Sequence, residues 1–179
     1  MMKSVWLVLN LVGVAGLASF VPPGRAESIA PDSQLPAPVA KAFRAAFPNA
    51  EIQKLDVEVE DGVKVYDFEF KDGSVERETD ITDDGTLLEV TIVIDPKDVP
   101  AVAMKTIRKA AQGATIGRSE RIEVLWEIRD GKVIKLQKPV TRYAAELAKQ
   151  NLKAEAIVTS NGNVVEPVEW VPAQQPKSN

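Results

Sequence analysis

The side chains whose spacing suits chemistry in this sequence are acids. Asp61-Gly62 and Asp72-Gly73 each read as a two-residue hairpin turn between alternating segments. Folding the chain back at the first turn sets Val57 opposite Tyr66 and Leu55 opposite Phe68, apolar on apolar. The same register sets Asp56 opposite Asp67 and Lys54 opposite Glu69. Folding at the second turn sets Phe70 opposite Val75, Asp67 opposite Glu78 and Glu69 opposite Glu76. Asp56, Asp67 and Glu78 would then form a carboxylate row on one sheet face, where directly opposed like charges are unfavourable. Such a face suits a cationic partner surface or ion; the plain alternative is a solvated acidic face screened by salt. The candidate partner-binding residues are therefore Asp56, Asp67, Glu69, Glu76 and Glu78. Trp170 joins them as an aromatic beyond the last strand, equally readable as an exposed anchor or a packed ring.

Other chemistry is sparse. The chain has no histidine and no cysteine, which removes imidazole bases, thiol nucleophiles, disulfides and the usual zinc sites. No glycine-rich phosphate loop occurs. Acids abound, but nothing singles out one pair for glycoside chemistry. Asp80-Ile81-Thr82-Asp83-Asp84-Gly85 has the look of a calcium loop. Its twelfth position would be Thr91, where a bidentate Glu is needed, so it reads as an acidic turn. The expectation is a chain that is not an enzyme, with no catalytic, cofactor-binding or metal-ligating residues. A formal net charge of −4 makes a nucleic-acid partner unexpected, and a protein or peptide partner is the natural class.

The elements that must position these acids are legible as patterns. Val39, Phe43, Ala46 and Phe47 fall at helical spacing after prolines suited to a helix start. Strands follow: Leu55, Val57 and Val59 alternate with acids, as do Tyr66, Phe68 and Phe70. Val75 to Ile81 and Leu88 to Ile94 supply two more, around the turn Asp83-Asp84-Gly85. Later, Ile122, Val124, Trp126 and Ile128 alternate before Asp130-Gly131, and Tyr143 is in phase with apolar neighbours. Tyr66, Tyr143 and Trp126 are therefore expected in the core.

Parts of the chain recur. Pro36 to Ile52 aligns with Pro100 to Ile116 at an offset of 64, and Val63 to Glu89 aligns with Val140 to Glu166 at an offset of 77. The second copy thus carries 13 extra residues, of which Lys132 to Pro139 would lengthen a hairpin. In it Ala144 replaces Asp67, and Glu146 is expected opposite Lys153. The predicted fold is α+β: two tandem repeats, each a short helix packed on one face of an antiparallel β-meander of about four strands. The repeats span 35–98 and 99–171, between flexible segments at 27–34 and 172–179.

The start of the chain reads as an address. A positive Met1 to Lys3, an apolar Val5 to Val21 and small residues near Gly24 and Ala26 describe a signal peptide over 1–26. Cleavage is predicted after Ala26, with Ala18 as the rival; an uncleaved anchor is the alternative. Cleavage would leave 20 basic and 26 acidic side chains, a net charge of −6. An exported chain without disulfides suits a bacterial periplasm, so the expected location is periplasmic or secreted. No later stretch is long and apolar enough for a membrane span after signal removal.

The motifs resemble a known family. Leu35-Pro36, Val39, Phe43 and Phe47-Pro48-Asn49-Ala50-Glu51-Ile52 are similar to PepSY-like domains, as are Val65-Tyr66-Asp67-Phe68 and Asp84-Gly85-Thr86-Leu87. More narrowly, the chain resembles bacterial β-lactamase-inhibitor-like (BLIP-like) secreted proteins, over about residues 35–170. Gln112-Gly113 departs from the pattern where the first copy has Pro48-Asn49. The resemblance implies a secreted, non-catalytic binding module with helices on one sheet face and a concave open face. From the same resemblance comes the expectation of inhibiting or regulating a peptidase or other extracytoplasmic enzyme. The competing expectation is an envelope structural or sensor protein that binds a cation or peptide on the acidic face of the first repeat.

Overall fold

The computed structural model describes residues 35–173. The expected signal peptide over 1–26, the 27–34 segment and residues 174–179 of the expected tail lie outside the described residues. The elements in chain order are α1 (Ala37–Ala46), β1 (Glu51–Glu60), β2 (Val63–Asp72), β3 (Val75–Thr82) and β4 (Leu87–Ile94). A 3-10 turn at Pro96–Asp98 leads to α2 (Ala101–Ala111), β5 (Thr115–Arg129), β6 (Lys132–Lys149), β7 (Leu152–Thr159) and β8 (Val171–Pro172). All eight strands form one antiparallel sheet in sequence order.

That single sheet overturns the expected pair of helix-plus-meander repeats. β4 hydrogen-bonds β3 on one side and β5 on the other, with Glu89 opposite Val124 and Thr91 opposite Ile122. A strand as apolar as Leu87–Ile94 would otherwise expose a row of unpaired N–H and C=O groups. Joining it to β5 removes two free edges in one step. The second half continues the meander with very unequal strands. β5 and β6 run 15 and 18 residues, whereas β8 has two.

Both helices cover the same face. α1 buries Val39 and Phe43 against Tyr66, Phe68, Phe70 and Ile81. The Phe43 ring stacks on Phe68 with centroids 4.4 Å apart and meets Phe70 edge-on at 5.1 Å, arrangements that aromatic pairs favour. α2 buries Ala103, Met104, Ile107 and Ala111 against Leu147, Ala154, Ala156 and Val158. Its small residues let the helix sit close to an alanine-rich stretch of sheet. Gly85, at φ +87°, lies where the β3–β4 turn abuts the start of α1. A Cβ there would sit 2.8 Å from the Pro38 carbonyl oxygen.

The turns set the registers. Asp61 and Gly62 both take positive φ, the geometry of a type I′ hairpin. β1 and β2 then pair as expected, with Asp56 opposite Asp67 and Lys54 opposite Glu69. The second hairpin differs. Asp72 pairs with Val75, so Gly73-Ser74 is the turn and the register moves by two residues. Asp67 therefore faces Asp80 rather than Glu78, Glu69 faces Glu78 rather than Glu76, and Phe70 faces Arg77 rather than Val75. The same two-residue shift at Gln150-Asn151 sets Glu146 opposite Glu155, not Lys153.

Candidate functional site

Strand alternation sends Tyr66, Phe68 and Phe70 to the helices and sends Val65, Asp67 and Glu69 to the opposite, helix-free face. Across that face Asp56, Asp67, Asp80 and Glu89 stand directly opposite one another on β1 to β4. The next rank holds Glu69, Glu78, Thr91, Ile122 and Arg142. Basic side chains serve part of the first two strands. Lys54 Nζ lies 2.5 Å from Asp56 and 2.9 Å from Glu69. Arg118 pairs with Glu78 and, at 2.6 Å, with Glu120.

The long β5–β6 hairpin curls over this face. Its tip meets the β1–β2 tip: a Cβ on Gly131 would lie 3.1 Å from the Asp61 carbonyl oxygen. Beneath the curl is a cavity of about 160 Å³. Asp80, Glu89, Glu120, Glu146 and Glu155 line it, together with Arg118 and Arg142. Its apolar floor is Ile122, Val124 and Ile157, with Trp126 and Ile128 on the overhanging wall. Arg142 is held at that wall by Glu127, 2.6 Å away.

Several side chains here make no hydrogen bond or ion pair. Asp67 is 5% exposed and has neither hydrogen bond nor ion pair. Thr91, on the cavity wall, is 4% exposed, and its hydroxyl makes no hydrogen bond. Asp80, Glu89, Glu146 and Glu155 likewise lack hydrogen bonds and ion pairs, although each keeps some contact with cavity solvent.

The electrostatics follow from that arrangement. Burial pushes the Asp67 carboxyl up to about 7, with Glu78 and Glu69 adding repulsion. Burial and Glu120 push Glu78 to about 7 against the pull of Arg118. Glu89 is also raised to about 7 by burial, opposed by Arg142. Burial and the facing Glu89 hold Asp80 well above the usual carboxylate range. Glu155 reaches about 8 through burial, then through the fields of Glu120 and Glu78. That β7 residue feels β3 because the curl brings the two ends of the face together. Among the described residues no group of three acids is placed to hold a metal ion.

The expected site residues thus have different fates. Asp56, Asp67, Glu69 and Glu78 share the helix-free face. Glu76 lies on the same face but is exposed toward the β2–β3 turn. Trp170 is half-buried against the α2 core, on the helix side of the sheet. Tyr66 is buried in the α1 core, as expected. The sequence marks Asp80 only as the start of an acidic turn, whereas it lies inside β3, and it does not single out Glu89, Glu120 or Glu155. Glu89 carried a local signal, since it sits between Leu88 and Val90 in an apolar strand. Glu120 and Glu155 join Asp80 and Glu89 through the sheet's curl, which leaves no local mark.

No protein-family profile matches the chain, and no curated protein matches it. Solved structures do. A protein of Bacteroides eggerthii assigned to the periplasm superposes with a TM-score of 0.54 at 13% identity, covering 77% of this chain and 90% of its own. A DUF2874 family protein of Bacteroides ovatus gives a TM-score of 0.54 at 11% identity, covering 76% and 88%. A BLIP-like protein of Bacteroides fragilis gives 0.49 at 12% identity, covering 89% and 94%, a score too low to argue from. At these identities the first two show a shared fold and nothing finer. The likeness to PepSY-like domains rests on the sequence motifs alone.

Proposed function

We propose that this chain is a non-catalytic periplasmic or secreted binding protein whose acidic, helix-free sheet face receives a cationic protein or peptide partner. The observation that carries this reading is the rank Asp56, Asp67, Asp80 and Glu89, four acids directly opposite one another on consecutive strands. Directly opposed like charges cost stability, and Asp67 lies in this rank buried and unpaired. A partner carrying Lys or Arg would supply the missing charges and gain affinity from pairing them. The signal-like N-terminus supports export, as does the fold shared with a protein assigned to the periplasm. Inhibition or regulation of an enzyme rests on the motif resemblance.

The test uses the chain from residue 27 as bait for crosslinking capture from an extracytoplasmic extract of the source cells. The expected result is one protein bound one-to-one, weakened by salt. The Asp67→Asn/Asp80→Asn double variant should weaken it by about ten-fold or more, as loss of close charge pairs does. Binding indifferent to both salt and the substitutions would remove the acidic face from the reading. Turnover of any substrate by the purified chain would remove its non-catalytic part.

A further inference from the structure

We propose that the cavity under the β5–β6 overhang is a site for one primary ammonium group carried on an unbranched alkyl stem. This rests on reading the acidic face as the binding face and names the chemistry its deepest point would take. Three features select that chemistry. Asp80, Glu89, Glu146 and Glu155 line the cavity with no ion pair, and the cations whose fields reach them, Arg142 at Glu89 and Arg118 and Lys153 at Glu146, leave acids in excess there. Thr91, a residue 4% exposed, turns a hydroxyl without a hydrogen bond to the cavity wall as an acceptor. A hydroxyl facing the cavity can accept a donor that enters it. Ile122, Val124 and Ile157 form the floor between these groups. An alkyl stem buries apolar area there, which a hydrated metal ion cannot do.

The same features argue against the other simple cation. A divalent metal needs several oxygens converging on one point, and among the described residues no such group of three acids exists. The cavity already accepts one organic cation of the chain's own, Arg118, held between Glu78 and Glu120. About 160 Å³ is room for one side chain or small amine. Two sources carry this chemistry: a lysine side chain of a partner, or a free alkyl diamine.

The experiment is an NMR titration of the isotope-labelled chain from residue 27. The probes are an acetylated, amidated Ala-Lys-Ala peptide, its norleucine counterpart, cadaverine and calcium chloride. A ligand this small binds with a dissociation constant on the order of millimolar. The lysine peptide is expected to shift amides of Thr91, Ile122 and Glu155 saturably, and the norleucine peptide to leave them unmoved. At about pH 9, where Glu155 is ionised, Thr91→Val and Glu155→Gln should each weaken binding by about ten-fold, and Glu76→Gln should not. If the peptide outcompetes cadaverine, the source is a partner's lysine. If cadaverine is the tighter ligand, the ammonium site stands and the protein-partner reading loses its anchor. Shifts confined to exposed acids such as Glu76, or cavity shifts with calcium and not with the amines, would overturn the site. Capture of a salt-sensitive partner alongside either of those results would leave the partner reading standing without it.

Discussion

Carboxyl groups held away from bulk water keep their protons more tightly than the same groups in an unfolded chain. Asp67, Glu78 and Glu89 stand near 7 and Glu155 near 8, against 3.8 for an ordinary Asp and 4.5 for an ordinary Glu. Between the unfolded and folded values, the folded state therefore binds more protons than the unfolded one, and stability falls as pH rises. The sign is the reverse of the usual ion-paired acid. Stability from these groups is fullest below about pH 4 and is lost progressively through pH 7 to 8. Thermal melts at pH 5 and pH 9 should show the higher midpoint at pH 5. Glu155→Gln should flatten that difference, recovering ~1–3 kcal/mol at pH 9 after allowance for cavity solvent. A variant as pH-sensitive as the parent would mean that Glu155 is hydrated and ordinary. Lys54 has the same sign at the alkaline end. Although desolvation lowers its proton affinity, hydrogen bonds to Asp56 and Glu69 raise it overall. Lys54→Met should destabilise by ~1–3 kcal/mol at pH 8, by leaving buried Glu69 uncompensated, with a smaller effect at pH 4 in the same melts.

Elements differ in how openly the sequence declares them. The α1 spacing of Val39 and Phe43 and the Asp61-Gly62 turn are local signals, and the helix and the β1–β2 register follow from them. Asp72-Gly73 carries the same dipeptide and misleads. There Gly73 takes the positive φ while Asp72 stays in the strand, so the turn begins one residue later and every cross-strand pair moves by two. An even shift keeps each side chain on its face. The acidic face was therefore legible in composition while its pairings were not. The part of the cavity built from Glu120, Glu146 and Glu155 was hidden for another reason: it depends on β4 pairing with β5 across the α2 segment, which no adjacent residues encode. Gly85 gives an element-level check. Gly85→Ala forces a Cβ toward the Pro38 carbonyl at positive φ and should cost ~1–3 kcal/mol in chemical denaturation. An unchanged midpoint would show that the β3–β4 turn yields freely around the start of α1.

One sheet makes one cooperative unit. After removal of 1–26 the tryptophans left are Trp126 and Trp170, both in the second half of the chain. Phe43→Ala removes a ring fully buried in the first half and should cost ~3–5 kcal/mol. Because β4 is shared, the tryptophan fluorescence transition should fall in step with far-ultraviolet circular dichroism. A tryptophan transition left where it was would mean that the halves melt separately. The strand order carries a consequence of a different kind. Each strand from β2 to β8 pairs with its immediate predecessor in the chain, so no pairing waits for a segment made much later. Most closing loops are then short, and topologies of low contact order fold fast. The sheet can grow strand by strand from its N-terminal edge as the chain emerges. The β5–β6 overhang would be laid across the carboxylates only after β1 to β4 had set them in rank.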